Sequence, residues 1–445
     1  MYRQHLRVIL LLTGFLGYAA VGHAETLLEL YHLGLQTNPA LKGREYAVER
    51  ANAQQDQALG KLLPKVAIVG NYSRNDFRNR SGPAQDSVNY NGSRIGLQAS
   101  QALFDLPSYY RLQVAKASTR QTEYELDAAR MAMTGDLIDR YLKTLEVTDE
   151  VTQLRVEKEA TDIQVRRIRA AHARQMTKIT DLYESEAYYQ GLVSDEIDAV
   201  NRKAIALEKL REICGVAPLD VAPLVRDDFP VVQRSADDWV AEAVRDNPNL
   251  IALERAIEAA QNAIASSRAE HLPQLALNLS QTRADTGFDN RQSPPYVVGI
   301  VGVQLTMPLY SGGSVIAGER EAKARHRIIV EQREDQRRKV ELETRTAYLN
   351  AVTNHRRMES TDQEVRFRES AVTAQQRGYE LGVATIADAL EAKRRLFKSR
   401  TQQAKARYDY IRSLVALRLQ VGSIAQTDVE EINGWMAAAS VPPPR

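Results

Sequence analysis

Across 445 residues, 59 lysines and arginines face 57 acids, 26% of the chain is charged, 6% is aromatic and one residue is cysteine. That composition suits long solvated helices better than one large compact core. The near balance of charge offers nucleic acid no electrostatic footing, and the absence of metal-ligand histidine spacing, a nucleophile elbow or a phosphate-binding glycine loop predicts neither a cofactor nor an enzyme.

Residues 1–24 read as a secretory signal peptide. Arg3 and Arg7 form its positive end, Val8 to Ala20 its apolar stretch, and Gly22-His23-Ala24 a small-x-small cleavage site. The apolar run is too short for a membrane-spanning helix. The mature chain is expected to start at Glu25, outside the cytoplasm, with 57 basic and 57 acidic residues, since the leader carries two arginines and no acid. No later stretch holds 18 apolar residues in a row. Cys214 has no partner for an internal disulfide and falls in a helical pattern, as a packing residue does.

Punctuation by proline and glycine exposes a duplication, residues 25–234 and 235–445. Asn38-Pro39 recurs as Asn247-Pro248 and Leu63-Pro64 as Leu272-Pro273, both at an offset of 209 (248 − 39 and 273 − 64). Leu103-Phe104-Asp105 recurs as Leu309-Tyr310-Ser311 at 206, placing a shorter connecting loop in the second half. Met176-x-x-Ile179-x-Asp181 recurs as Val383-x-x-Ile386-x-Asp388 at 207, as do Leu210 and Gly215 in Leu417 and Gly422.

Each half begins with a predicted helix of about 38 residues, interrupted where Asn38 or Asn247 caps a helix whose first residue is proline. Leu-Pro ends it. Two alternating segments follow. Ile95, Leu97, Ala99 and Leu103 alternate with Arg94, Gln98 and Ser100, and Val301, Val303, Leu305 and Met307 alternate with Gly302, Gln304 and Thr306. Leu275, Leu277 and Leu279 also alternate, while Val66 to Ser73 is less regular. Periodicity alone allows either a barrel strand between lipid and a wet lumen or a half-buried soluble strand. Polar loops at residues 76–92 and 285–295, and aromatics at strand ends (Tyr72, Phe77, Tyr90, Phe104, Phe288, Tyr296, Tyr310), favour the barrel.

No proline then occurs from Ser108 to Ala217 or from Leu309 to Val441. Leu126, Met133, Leu137, Tyr141, Leu145, Val151 and Leu154 recur at helical spacing, as in a coiled-coil seam. Ser108 to Arg174 predicts one helix of roughly 100 Å at about 1.5 Å per residue, returned by a helix from about Asp181 to Arg211. Four strands cannot close a barrel, since single-chain bacterial barrels begin at about eight. Unpaired edge groups in lipid cost several kcal/mol each, so several chains are expected to pool their strands.

These duplicated landmarks, the Leu-Phe-Asp and Leu-Tyr-Ser-Gly-Gly strand exits, and Tyr379-x-x-Gly382-x-x-Thr385-x-x-Asp388-x-x-Glu391-Ala392 resemble the TolC family of outer-membrane channels over the whole mature chain. The resemblance implies a mainly α fold with β. Long-helix coiled coils would build a tunnel through the periplasm, and four strands per chain would join in a homotrimer as a twelve-stranded barrel in outer-membrane lipid. It implies a periplasmic adaptor and an inner-membrane transporter, ABC or proton-driven, as partners, and a girdle from Pro218 to Ala236 and Ser423 to Arg445.

The family's constriction falls on the turns from Gln175 to Asp181 and from Gly382 to Glu391. Asp388 and Glu391 share a helix face, and threefold symmetry would gather them as a cation-binding ring. A solvated acidic face is the alternative. Tyr379, Arg377 and Asp181 match positions that tie neighbouring helices at the closed tip, but Ala384 stands where some relatives carry a basic latch residue. The functional reading is the exit duct of a type I secretion system, to which the segment from Leu219 to Pro230 points. The outer-membrane part of a drug-efflux pump is the alternative. A periplasmic coiled-coil adaptor would fit the helices and leave the strands unexplained.

Overall fold

The computed structural model describes residues 25–78, 87–216, 218, 220–285 and 294–436. The leader, residues 79–86 and 286–293 of the strand-connecting loops with Phe288 among them, Ala217, Leu219, and residues 437–445 lie outside the described residues.

Each half opens with two helices rather than one. They are α1 (Leu27–Thr37) and α2 (Pro39–Gly60), repeated as α5 (Ala236–Asp246) and α6 (Pro248–Ala269). Thr26 and Ser235 cap the first of each pair in reciprocal boxes with Glu29 and Asp238. At the break, Asn38 Oδ1 accepts from the amides of Ala40 and Leu41 at 3.0 and 3.1 Å. Proline fits the next position because the first turn leaves that amide unpaired.

The asparagines also have a second partner. Asn247 Nδ2 donates to Gln420 O at 2.8 Å and Asn38 Nδ2 to Ile213 O at 3.5 Å. Those carbonyls end the return helices α4 (Ile179–Cys214) and α8 (Ile386–Val421). The helices terminate on Gly215 and Gly422, at φ 73° and 78°, the left-handed geometry that glycine adopts without steric cost. The Asn-Pro and glycine landmarks, far apart in sequence, thus meet where each repeat closes on itself.

The strands β1 (Lys65–Arg78), β2 (Ser87–Phe104), β3 (Gln274–Asp285) and β4 (Tyr296–Thr306) form one antiparallel sheet in the order β1-β2-β3-β4. Two expectations are corrected here. Residues 76–78 and 87–92 are paired strand, with Asp76 opposite Asn89 and Ser73 opposite Gly92; the ladder continues through polar residues because backbone pairing, not side-chain polarity, defines a strand. The shortening in the second half falls on the strands, 12 and 11 residues against 14 and 18, and not on the connection between them.

The long descending helices are α3 (Leu106–Ala173) and α7 (Ser314–Glu380), of 68 and 67 residues. In the half nearer the sheet the lateral order is α2-α3-α6-α7; in the other half it is α4-α3-α8-α7. The chain is therefore a slab with α7 and β4 on one flank and β1, α2 and α4 on the other. Around its middle wrap α1, α9 (Gln426–Asn433) and the flanking segments, joined by a Glu25–Val221 bridge and a Leu224–Met436 bridge. The main core lies there, around Leu137, Ile138, Tyr141, Leu142, Tyr410 and Trp435. Cys214 is fully buried in it, its thiol 3.5 Å from Leu30 O.

Candidate channel and gate

The register assigns every strand residue to a face. One row crosses the sheet as Val66, Ala99, Leu279 and Val301, and others pair Leu277 with Val303 and Leu275 with Leu305. Successive side chains on a strand point to opposite faces, so the intervening rows are Lys65, Ser100, Asn278 and Gly302, then Ala67, Gln98, Ser280 and Ile300. One face is thus mostly apolar and the other largely polar. The apolar face is bare: Ile68 is 74% exposed, Val301 76% and Leu305 67%. Tyr72 and Tyr310, 74% and 87% exposed, stand near its two borders, as aromatic residues do at a membrane surface. Among the described residues, the outer edges of β1 and β4 have no partner strand.

At the far end, both hairpins turn in the same way. Gln175 and Gly382, 207 residues apart, take φ 58° and 75°. Met176 N donates to Ala171 O and Val383 N to Gly378 O, each at 2.9 Å. Ala384 packs within the turn, so close that a Cβ added at Gly378 would lie 3.1 Å from its methyl group.

The predicted gate residues occupy this tip with distinct surroundings. Asp388 belongs to a capping box, its Oδ2 accepting from Thr385 N at 3.0 Å and Thr385 Oγ1 at 2.6 Å. The Thr385 hydrogen bonds hold its carboxyl below the usual aspartate value. Glu391 accepts from Arg395 Nε at 2.8 Å, with Arg394 at 3.8 Å, and the Arg395 bond lowers its pKa. Both carboxylates are therefore ionised at neutral pH, and they lie one turn apart on α8. Asp181 accepts from Thr177 Oγ1 at 2.9 Å in the equivalent turn. Tyr379 packs half-buried on a cluster that includes Leu182, Ile386 and Leu390, and Arg377 is exposed. The structure brings Asp388 and Glu391 together but joins neither Tyr379 nor Arg377 to Asp181 by a hydrogen bond within the chain.

Sequence reading placed Thr385 in the family motif but missed its capping role, although Thr-x-x-Asp is a capping signature, and missed Arg394 and Arg395, although their spacing from Glu391 is that of helical ion pairs. It could not have found Lys393, whose Nζ donates to Gln164 Oε1 at 2.5 Å, or the Arg394 guanidinium 5.5 Å from the Tyr188 ring. These contacts join α8 to α3 and α4 across more than 200 residues of chain.

The signature of the family described as "Outer membrane efflux protein" matches twice, over residues 30–216 and 239–423. The chain belongs to this family. The two matches start 209 residues apart (239 − 30), the offset of the Asn-Pro landmarks. Outer membrane protein TolC of Vibrio cholerae is 26% identical over 421 residues, 94% of this chain and 95% of that protein. The alkaline protease secretion protein AprF of Pseudomonas aeruginosa is 26% identical over 428 residues, covering 94% and 88%. The outer-membrane channel CmeC of Campylobacter jejuni shares the fold with a TM-score of 0.80 at 17% identity, over 93% of this chain and 90% of that one. Like the rest of its family, the chain resides in the outer membrane, its sheet in lipid and its helices in the periplasm.

Proposed function

We propose that three copies of this chain form the exit duct of a type I secretion system, carrying a protein from an inner-membrane ABC transporter, through a periplasmic adaptor, to the cell exterior. The carrying observation is the slab with two different open flanks and a bare apolar sheet face. Such a sheet is stable in lipid only when its edge amides and carbonyls are paired, and a head-to-tail contact between unlike flanks closes into a ring. Three copies of the four-stranded sheet give twelve strands, a barrel with a wet lumen lined by the polar face. Similarity to a protease secretion protein supports protein as cargo.

At the tip, the copies bring Asp388 and Glu391 to the axis as the narrowest, cation-selective ring. Arg394 and Arg395 offset part of the Glu391 charge, so Asp388 contributes the larger share. Arg377, Tyr379 and Asp181 hold the neighbouring helices at the closed tip.

Mass measurement in detergent should give three chains, and a stable membrane-inserted monomer would sink the architecture. In planar bilayers, Asp388→Asn with Glu391→Gln should lose cation selectivity and block by multivalent cations while remaining trimeric. Unchanged conductance, selectivity and block would leave these carboxylates on a solvated face. Deleting the gene should remove a protein from the culture medium; loss of drug tolerance with an unchanged secretome would instead favour the efflux reading.

A further inference from the structure

The two descending helices carry a basic layer directly beneath the sheet. In α3 no acid occurs before Glu123, whereas Arg111, Lys116 and Arg120 do. In α7 the stretch from Ser314 to Arg327 holds Arg320, Lys323, Arg325 and Arg327 against Glu319 and Glu321. Lys116 and Arg120 recur as Lys323 and Arg327, both at an offset of 207 (323 − 116 and 327 − 120). This local excess stands in a chain whose charges otherwise nearly cancel.

Helical phase turns part of this layer outward. Tyr141 of α3 donates to Glu25 O and Ala222 O, at 3.3 and 3.2 Å, in the segments that wrap the middle of the chain. Lys116 precedes Tyr141 by 25 residues, about seven turns at about 3.6 residues each, and so shares its outer side. Arg345 of α7 reaches Asp237 of α5, the repeat of α1, at 2.7 Å. Arg320 and Arg327 precede Arg345 by 25 and 18 residues, about seven and five turns, and share that side. Arg325 precedes it by 20 residues, about five and a half turns, and faces the opposite way. On the outer side, Tyr109 stands above Lys116 and Ile316 above Arg320, 47% and 54% exposed, and they continue the bare apolar face of the sheet onto the helices.

Lys116, Arg320 and Arg327 are exposed, and none has a side-chain hydrogen bond or ion pair among the described residues. The nearest acid on α7, Glu319, is already held by Lys323 and Arg268 at 2.8 and 2.6 Å. Arg320 lies four residues below Ile316 and Lys116 seven below Tyr109, about 6 and 10 Å at about 1.5 Å per residue. Headgroups occupy about 5–8 Å beyond the hydrocarbon on each side of a bilayer. Side chains on a helix lean toward its N-terminus, which in α3 and α7 is the end beside the sheet, so these cations reach up toward that layer on long apolar stems. Arg327, two turns below Arg320, leans the same way.

We propose that this outward belt seats anionic glycerophospholipid headgroups of the leaflet facing the periplasm, with Lys116 and Arg320 each meeting a phosphate and Arg327 backing Arg320. The occupant is a lipid because a cation for the phosphate and a bare apolar surface for the acyl chain lie one above the other on the same side of each helix. A free phosphate would use only the first.

Native mass spectrometry tests it by counting lipids retained by the full-length protein in uncharged detergent, supplied with phosphatidylglycerol and phosphatidylcholine of identical acyl chains. The wild type should retain phosphatidylglycerol in preference. Lys116→Gln with Arg320→Gln and Arg327→Gln should lower that preference about tenfold or more, since one cation near an anionic surface counts for about fivefold. Arg320→Gln alone, a change at one exposed side chain, should lower it severalfold, and Arg320→Lys should keep most of it. Arg325→Gln, at the same height but facing the opposite way, should leave it unchanged. Equal retention of the two lipids by the wild type, an unchanged preference in Arg320→Gln, or an equal loss in Arg325→Gln would overturn the belt. Displacement of the lipid by an equal concentration of glycerol phosphate would overturn the lipid as its occupant.

Discussion

The two glycines that end the return helices are equivalent by sequence, yet an added methyl group should affect them very differently. At Gly215, φ 73°, a new Cβ would lie 3.4 Å from the nearest atoms of Thr37, an ordinary contact. Its cost is the left-handed strain of about 1–2 kcal/mol, offset by about 0.4–1 kcal/mol because alanine restricts the unfolded chain. The net effect is about 1 kcal/mol. At Gly422, φ 78°, the same Cβ would stand 2.7 Å from Pro248 Cδ and 2.9 Å from Asp246 O, neither of which is the end of a flexible side chain. Relieving that clash must move the α5–α6 junction or the end of α8, and overpacking of this kind adds about 1–3 kcal/mol. It also strains the Asn247–Gln420 bond of 2.8 Å. Gly422→Ala should therefore cost about 2–4 kcal/mol. Unfolding rates of the assembled protein in guanidinium, followed by far-UV ellipticity, should rise by less than about tenfold for Gly215→Ala and by about 10- to 100-fold more for Gly422→Ala, at about 1.4 kcal/mol per decade. Equal rates for the two variants would refute the argument that the repeats close with different clearance.

Gln175→Gly should stabilise the first tip by about 0.5–1 kcal/mol, because glycine relieves the strain of a positive φ and gives back part in backbone entropy; denaturant unfolding checks this, and a loss of stability would contradict it. Burial opposes the charge of Glu146, but Lys143 and Arg412 outweigh it and hold its carboxyl below the ordinary glutamate value. Its folded value being depressed, it contributes stability above the ordinary glutamate range that is lost as pH falls through the folded value, so Glu146→Gln should flatten the loss of stability below about pH 4.5. Asp149 has the opposite sign: burial raises its pKa despite the Tyr408 hydrogen bond, and Asp149→Asn should remove a penalty that grows as pH rises through the carboxylate range. In a Cys214→Ser background, a cysteine at the exposed strand residue Asn89 should react with an impermeant maleimide on whole cells, and one at Gln153 in α3 should not. The reverse pattern would invert the topology.

The sequence by itself determined the duplication, the identity of the elements and the places where the helices stop. Helix starts at Pro39 and Pro248, ends at Gly215 and Gly422 and the turn at Gly382 follow from constraints on one or two dihedrals, which act wherever the residue stands. Strand character likewise followed from a period of two. Tertiary structure decided how far the strands run, because Asp76 and Asn89 are held by ladder hydrogen bonds that composition does not register. It decided that the Asn38 and Asn247 amides reach the ends of helices 175 and 173 residues away, and that Lys393 meets Gln164. It also decided which flank each helix and strand occupies, and so which of them are left for another copy. Periodicity tells a helix which face to bury, but not against what; that choice is made by the packing of the whole chain.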